Sequence, residues 1–302
     1  MGPVALAEML KQSAVSPYEE VIAFEYLYSR EPASLKKIVD MTVRAGKPPS
    51  EALKDEYGFF RPDGRTEIES LIQSKLGRLS VAVKSTPSWP SKLSDSEHPT
   101  PLFYYYGDIG LLHILDSKAI SIVGSRHASP YGLDRAAEIA RGLSAAGFTI
   151  VSGLAAGVDT AALSATIANQ GHVIGVIGTP IDECYPRQNR DLQKEIAENH
   201  LLVSQVPFYR YSKQPFKSKG HYFPERNELM AALSDATLII EASDTSGTLH
   251  QARACLYQHR PLLILRSCYE DRNVSWPKAW AEKDGVFIVD SAEDIVSLMG
   301  RV

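Results

Sequence analysis

From Tyr18 to Tyr28 the apolar positions recur at spacings of three and four, the repeat of a helix face. Ser34 supplies an N-cap for a second helix that runs to Arg44 and is ended by Gly46 and the Pro48-Pro49 pair. A third helix runs from Arg65 to Leu76 and stops at Gly77, so the first 75 residues hold no strand pattern. The stretch 80–118 is a connector, with four prolines between Ser85 and Pro101 and a short strand at Phe103-Tyr-Tyr-Tyr106 before Gly107. Beyond it, strand and helix periods alternate strictly. Short apolar runs stand at Ala119–Val123, Phe148–Val151, His172–Ile177, Leu201–Val203, Thr237–Ile240, Leu262–Leu265 and Val286–Val289, with a last helix from Ser291. Such runs suit strands covered on both faces by helices, so the fold class is α/β, a doubly wound, mostly parallel sheet with a small N-terminal α-helical domain. The expected division is a helical module over 1–78 and a sheet domain over 79–302 with its core at 119–266. The helical module is read as a packing unit, with a DNA-reading helix-turn-helix as the alternative.

Composition narrows the function classes. In 302 residues, 44% hydrophobic and 23% charged, there is material for a substantial core. Cys184, Cys255 and Cys268 are odd in number and far apart, which excludes a disulfide framework and points to a reducing, cytoplasmic location. The N-terminus lacks the pattern of a signal peptide, and no apolar run is long enough to cross a membrane. The eight histidines show no metal-ligand spacing, so neither a metal nor a cofactor is expected and no catalytic residue is assigned. A net charge of −4 means that any nucleic-acid site must be a local basic patch on an acidic body.

In sheets of this class ligands bind at the carboxyl ends of the strands. Gly124-Ser125-Arg126-His-Ala-Ser129 follows one strand and opens a helix; its glycine, hydroxyls, guanidinium and helix N-terminus suit a phosphate. Gly124 as a plain turn and Arg126 as the partner of a carboxylate is the alternative. Ser152-Gly153-Leu-Ala-Ala-Gly157-Val-Asp159 fits neither a dinucleotide fingerprint nor a Walker A loop, yet its two glycines permit close backbone approach, and Asp159 is a candidate helix cap. The turn from Gly178 to Asn189 reads mainly as a rigid connection, and Glu241 to Thr248, with Ser246 and Gly247, as another anion nest.

Between Gln205 and Glu228, Arg210, Lys213, Lys217, Lys219 and Arg226 are interleaved with Phe208, Tyr209, Tyr211, Phe216, Tyr222 and Phe223. Cations for phosphates and ring faces for bases make the composition of a single-strand binding surface. The competing expectation is that these rings pack on the domain itself.

The ordered set Gly124-Ser125-Arg126, Ser129-x-Tyr131-Gly132, Ser152-Gly153-Leu154-Ala155-x-Gly157-x-Asp159, Tyr185-Pro186-x-x-Asn189, Phe223-Pro224-x-Arg226-Asn227 and Glu241-Ala242-x-x-x-Ser246-Gly247 resembles the DNA-processing protein A (DprA/Smf) family over about residues 85–265. The resemblance implies an extended Rossmann fold, a homodimer, single-stranded DNA in a basic pocket, and a role in DNA recombination and natural transformation with a RecA-type recombinase as partner. On it, Arg126 grips a phosphate with Gly124, Ser125 and Ser129. Phe223, Arg226 and Asn227 line the same pocket, and Lys213, Lys217 or Lys219 supplies a lysine. The chain departs from the family pattern at Leu163, Gln205, Glu228 and Gln251. Two alternatives belong to the same superfamily: a nucleotide-binding sensor, and a nucleoside-monophosphate phosphoribohydrolase-like enzyme in which Glu241 or Asp159 is the carboxylate near a ribose. The direction of Glu228 discriminates, since a carboxylate aimed into the pocket favours a small ribose-containing ligand over a polyanion.

Overall fold

The computed structural model describes residues 16–30, 34–58, 65–75, 79–84, 86, 89–113 and 118–300. Among the described residues four helices come first: α1 (Pro17–Ser29), α2 (Leu35–Met41), α3 (Pro49–Tyr57) and α4 (Arg65–Gln73). Ser16 and Ser34 cap α1 and α2, each accepting from the amide three residues on. The last residues expected for the second and third helices, near Arg44 and Lys75, lie in turns instead. α1 is buried almost all round, from Glu20 to Tyr28, because it packs against α3, α4 and the sheet at once.

The strands are β1 (Ser80–Val83), β2 (Leu102–Gly107), β3 (Ala119–Val123), β4 (Thr149–Ser152), β5 (Val173–Ile177), β6 (Leu201–Ser204), β7 (Ala236–Ile239), β8 (Leu262–Leu265) and β9 (Val286–Val289). They form one sheet in the order β1-β2-β6-β5-β4-β3-β7-β8-β9, parallel throughout except that β2 runs antiparallel to both neighbours. The connector thus contributes two strands rather than one: Ser80–Val83 pairs with Leu102–Tyr105 along a sheet edge.

Between the strands lie α5 (Pro130–Ala145), α6 (Val158–Ala168), α7 (Arg190–Asn199), α8 (Phe208–Lys213), α9 (Tyr222–Ala232), α10 (Thr248–Tyr257), α11 (Arg266–Glu270), α12 (Trp276–Ala281) and α13 (Ala292–Met299). Alternate side chains of each strand point to opposite faces. Ile120, Ile122 and Ile150 meet α5, α6 and α13 in a core that continues into α1. Val123, Val151 and Ile174 meet α9, α10 and α12. Chain order runs from β3 through β4 and β5 to β6 on one side and resumes with β7 on the other. The sheet therefore has its topological switch point between the carboxyl ends of β3 and β7, where open α/β sheets bind ligands.

Candidate functional site

A cavity of about 400 Å3 opens at that switch point. The loop after β3 contributes Gly124, Ser125 and Arg126; the loop after β7 contributes Ser243, Ser246, Gly247 and Thr248. Phe223, Arg226 and Asn227 on α9 form the third wall. The loops are tied together: the Ser125 amide donates to the Glu241 carbonyl at 2.7 Å, the Thr248 hydroxyl to the Gly124 carbonyl at 3.3 Å, and Asn227 Nδ2 to the Gly247 carbonyl at 3.2 Å. Eight expected residues from three motifs thus share one cavity.

Arg126 is exposed, stands 5.8 Å from the Phe223 ring centre, and has no carboxylate partner among the described residues. Arg226 is different. It is 5% exposed and its Nη1 donates to the carbonyls of Gly153 and, at 2.7 Å, Val176. Burial draws its pKa down to about 10, against the pull of Asp159, with Arg126 lowering it further, so the guanidinium stays charged at neutral pH. Its Nε is buried without a hydrogen-bond partner. Asp159 does not cap its helix from outside. It sits in the first turn of α6, buried, and its Oδ2 accepts from the amides of Gly153 at 3.0 Å and Ala155 at 3.3 Å. Burial raises the Asp159 pKa, with Arg226 opposing.

The glycines serve the meeting of these loops. A Cβ on Gly153 would lie 1.9 Å from Arg226 Nη1, and one on Gly124 2.7 Å from Val158 Cγ2. Gly157 has φ of +81° and presses on the Ser125 carbonyl, where a Cβ would come within 2.3 Å.

Other expected residues fall elsewhere. Ser129 caps α5 through the Gly132 amide while its hydroxyl donates to Glu241, whose other oxygen takes the Ser129 amide at 2.9 Å. The anion position at this helix start is therefore filled by the protein's own carboxylate, and Ser129 lines a neighbouring cavity instead. None of Lys213, Lys217 and Lys219 lines the cavity. Lys213 pairs with Glu67 at 2.6 Å, Lys219 lies 3.8 Å from the centre of the Tyr211 ring, and Lys217 is exposed. Of the interleaved aromatics, Phe208, Tyr211 and Tyr222 are buried, and Phe216 alone of the six is counted among the large exposed side chains, at 80%. The segment is in large part an anchor. Glu25 of α1 accepts from the amides of Phe208 and Tyr209 at 2.9 Å each and from the Tyr104 hydroxyl at 2.6 Å.

Glu228 does not enter the cavity. Its carboxylate accepts from His98 Nδ1 at 3.1 Å, and it lines a separate recess with Arg253. Glu97, His98 and Glu228 bring ligand atoms within 4.8 Å of one another, a grouping that sequence spacing does not show because Glu228 is distant in the chain. Ser243 and Thr248 lay within the expected nest without being singled out, and His250 was missed as a lining residue. The signal for them was the helix start at Gly247, whose first turn necessarily faces the strand ends.

Comparison with known proteins bears on this geometry. The family model described as DNA recombination-mediator protein A matches residues 80–300. The chain is 29% identical over 262 residues to the DNA processing protein DprA of Bacillus subtilis, covering 87% of this chain and 84% of that protein. It is similar in structure to DNA processing protein A from Streptococcus pneumoniae, with TM-score 0.69 and 25% identity, covering 98% of each chain. A second similar structure is DNA processing protein A from Helicobacter pylori, described for its single-stranded DNA binding mode, with TM-score 0.62 and 26% identity over 74% of this chain and 96% of that one. No helix among the described residues is long and apolar enough to cross a membrane.

Proposed function

The chain belongs to the DNA recombination-mediator protein A (DprA/Smf) family, and from that premise we propose that the switch-point cavity binds single-stranded DNA in DNA processing and recombination. The observation that carries this reading is Arg126: an exposed guanidinium without a carboxylate partner among the described residues, at the mouth of a cavity lined with hydroxyls. A backbone phosphate meets Arg126, Ser125 and the Gly247 amide, with Phe223 and Asn227 beside it. Gly124, Gly153 and Gly157 shape the walls, and the buried charge of Arg226 adds positive potential from behind. Lys217 meets the strand outside the cavity.

The direction of Glu228 supports a polyanion, since its carboxylate faces His98 and not the cavity. A ribose hydrolase needs a carboxylate free to act. Glu241 is taken by Ser129 and does not line the cavity, while Asp159, which lines it, accepts two amides on Oδ2. Family membership extends the proposal to a homodimer that works in the cytoplasm with a RecA-type recombinase during DNA uptake.

Competition tests the ligand class. Protein carrying a labelled single strand is challenged with unlabelled single strand, duplex and nucleoside monophosphates. Displacement by single strand at far lower concentration than by any mononucleotide is expected; displacement by a mononucleotide first would replace this reading with a nucleotide sensor.

A further inference from the structure

A recess of about 220 Å3 adjoins the first cavity and shares Pro224 and His250 with it. Glu97 of the connector and Glu228 of α9 line it. With His98 they bring three ligand atoms within 4.8 Å of one another, the one such convergence of metal-binding side chains among the described residues. His98 Nδ1 and the Glu228 carboxylate lie 3.1 Å apart. Two atoms each about 2.1 Å from one ion stand about 3.0–3.4 Å apart at octahedral or tetrahedral angles, so this pair already has the spacing of neighbouring ligands. Glu97 is exposed, and a turn of its side chain completes the set.

A second feature of the recess points to an occupant. Gln258 is 5% exposed and lines the same recess, and its Oε1 is buried without a hydrogen-bond partner among the described residues. Its Nε2 donates to the Glu228 carbonyl at 3.4 Å, which anchors the amide on the residue that carries one of the carboxylates. A buried acceptor left unpaired is costly, and a water bound to a cation is a donor that would satisfy it.

Charge points the same way. Two carboxylates share the recess, and its arginine, Arg253, is exposed with its guanidinium 5.7 Å from the centre of the Trp280 ring. The backbone around the three side chains is held independently of them. Buried Arg260 donates to the Ala231 and Ser234 carbonyls at the end of α9 and, through Nη2, to the Lys92 carbonyl at 3.0 Å and Asp95 at 3.1 Å. Arg44 Nη2 donates to the Glu97 carbonyl at 3.0 Å. Connector and helix are therefore in place before any ion arrives, which lowers the entropy lost in gathering the ligands.

We propose that Glu97, His98 and Glu228 bind one divalent transition-metal ion of the Zn2+ class, with Gln258 accepting from an ion-bound water, and that the ion clasps the connector to α9, the helix that carries Arg226 and Asn227. One imidazole nitrogen with two carboxylate oxygens is a mixed set that favours Zn2+ over Mg2+ or Ca2+, which take oxygen ligands. Binding displaces the proton from His98 Nδ1. Glu228 is a position where the chain departs from the family pattern, so the site is a feature of this chain.

Equilibrium dialysis against buffered Zn2+, with no nucleic acid present, is run for the parent, Glu97→Gln, His98→Ala and Glu228→Gln. The parent should take up one ion at this site. Each variant should bind it about 100-fold more weakly or worse, since even residues that only hold a ligand in place cost about 10–100-fold. At free Zn2+ about 100 times the dissociation constant, the parent's melting temperature should rise by about 4 °C and those of the variants should not move. Glu97 is exposed, so Glu97→Gln keeps the test open even if a change at half-buried Glu228 disturbs the fold. No uptake by the parent, or uptake by Glu97→Gln and His98→Ala equal to the parent's, overturns the site and leaves His98 and Glu228 as a hydrogen-bonded pair.

Discussion

Arg226 and Arg126 have the same side chain in the same cavity and opposite circumstances. Arg226 is walled in by the Gly153 and Val176 carbonyls, with Asp159 nearby; Arg126 faces out, against one ring. Burying a guanidinium is tolerable only where carbonyls and a counter-charge replace water, and Gly153 is what lets it in. Gly153→Ala should therefore cost about 1–3 kcal/mol in denaturant unfolding, the range for forcing atoms into a packed site. A variant as stable as the parent would show that Arg226 is not held as described. At this scale the sequence carried the identities but not the roles. Arg126, Arg226, Phe223 and Asn227 stand in recognisable motifs and do share the cavity. That Ser129 is taken by Glu241, or Lys213 by Glu67, depends on residues over a hundred positions away, which no local pattern encodes.

Among the elements, the docking of α8 on α1 joins the helical segment to the sheet. A single carboxylate does much of this, Glu25 accepting two amides at the start of α8 and a tyrosine hydroxyl from β2. Burial holds the Glu25 pKa up at about 7, although all three hydrogen bonds and Lys75 lower it. An unfolded glutamate ionises near about 4.3. Folding therefore favours the protonated group: its contribution is intact at acid pH, falls as the pH rises from about 4.5 to about 7, and is level above that. The full difference is on the order of 3 kcal/mol. Compared by urea unfolding at about pH 5 and about pH 8, the parent should lose stability relative to Glu25→Gln as the pH rises. An unchanged gap between the two would contradict the assignment. The helix Pro49–Tyr57 was not expected, because the Pro48-Pro49 pair reads as a stop although proline also opens helices. The strand periods were legible to within a residue or two at most positions, since buried parallel strands are short apolar runs that nothing else imitates here. The strand Ser80–Val83 was not, because an edge strand of four residues needs no sustained alternation. Nor was the anchoring use of Phe208–Tyr222: cations interleaved with aromatics have one composition whether the rings meet bases or a neighbouring helix.

For the whole molecule, a net charge of −4 and a polyanionic ligand are compatible because charge is sorted by position. The acidic groups Glu241, Glu270 and Asp271 gather on one side of the Ser125 loop, Glu228 turns to His98, and Arg126 is left facing the cavity at the switch point of the sheet. The topology determines this arrangement, because only strands adjacent at the order reversal bring the loops after β3 and β7 together. The measurement that tests the central claim most directly is the affinity of a fluorescent single strand at a series of salt concentrations, for the parent and for Arg126→Ala. Binding that weakens with salt is expected. The variant should be about 10- to 100-fold weaker, the size of a lost charge-assisted hydrogen bond. Its slope of log affinity against log salt should also be smaller by about 0.7, the value of one phosphate contact on a single strand. Equal affinity and equal slope for the two proteins would place the phosphate somewhere other than this cavity.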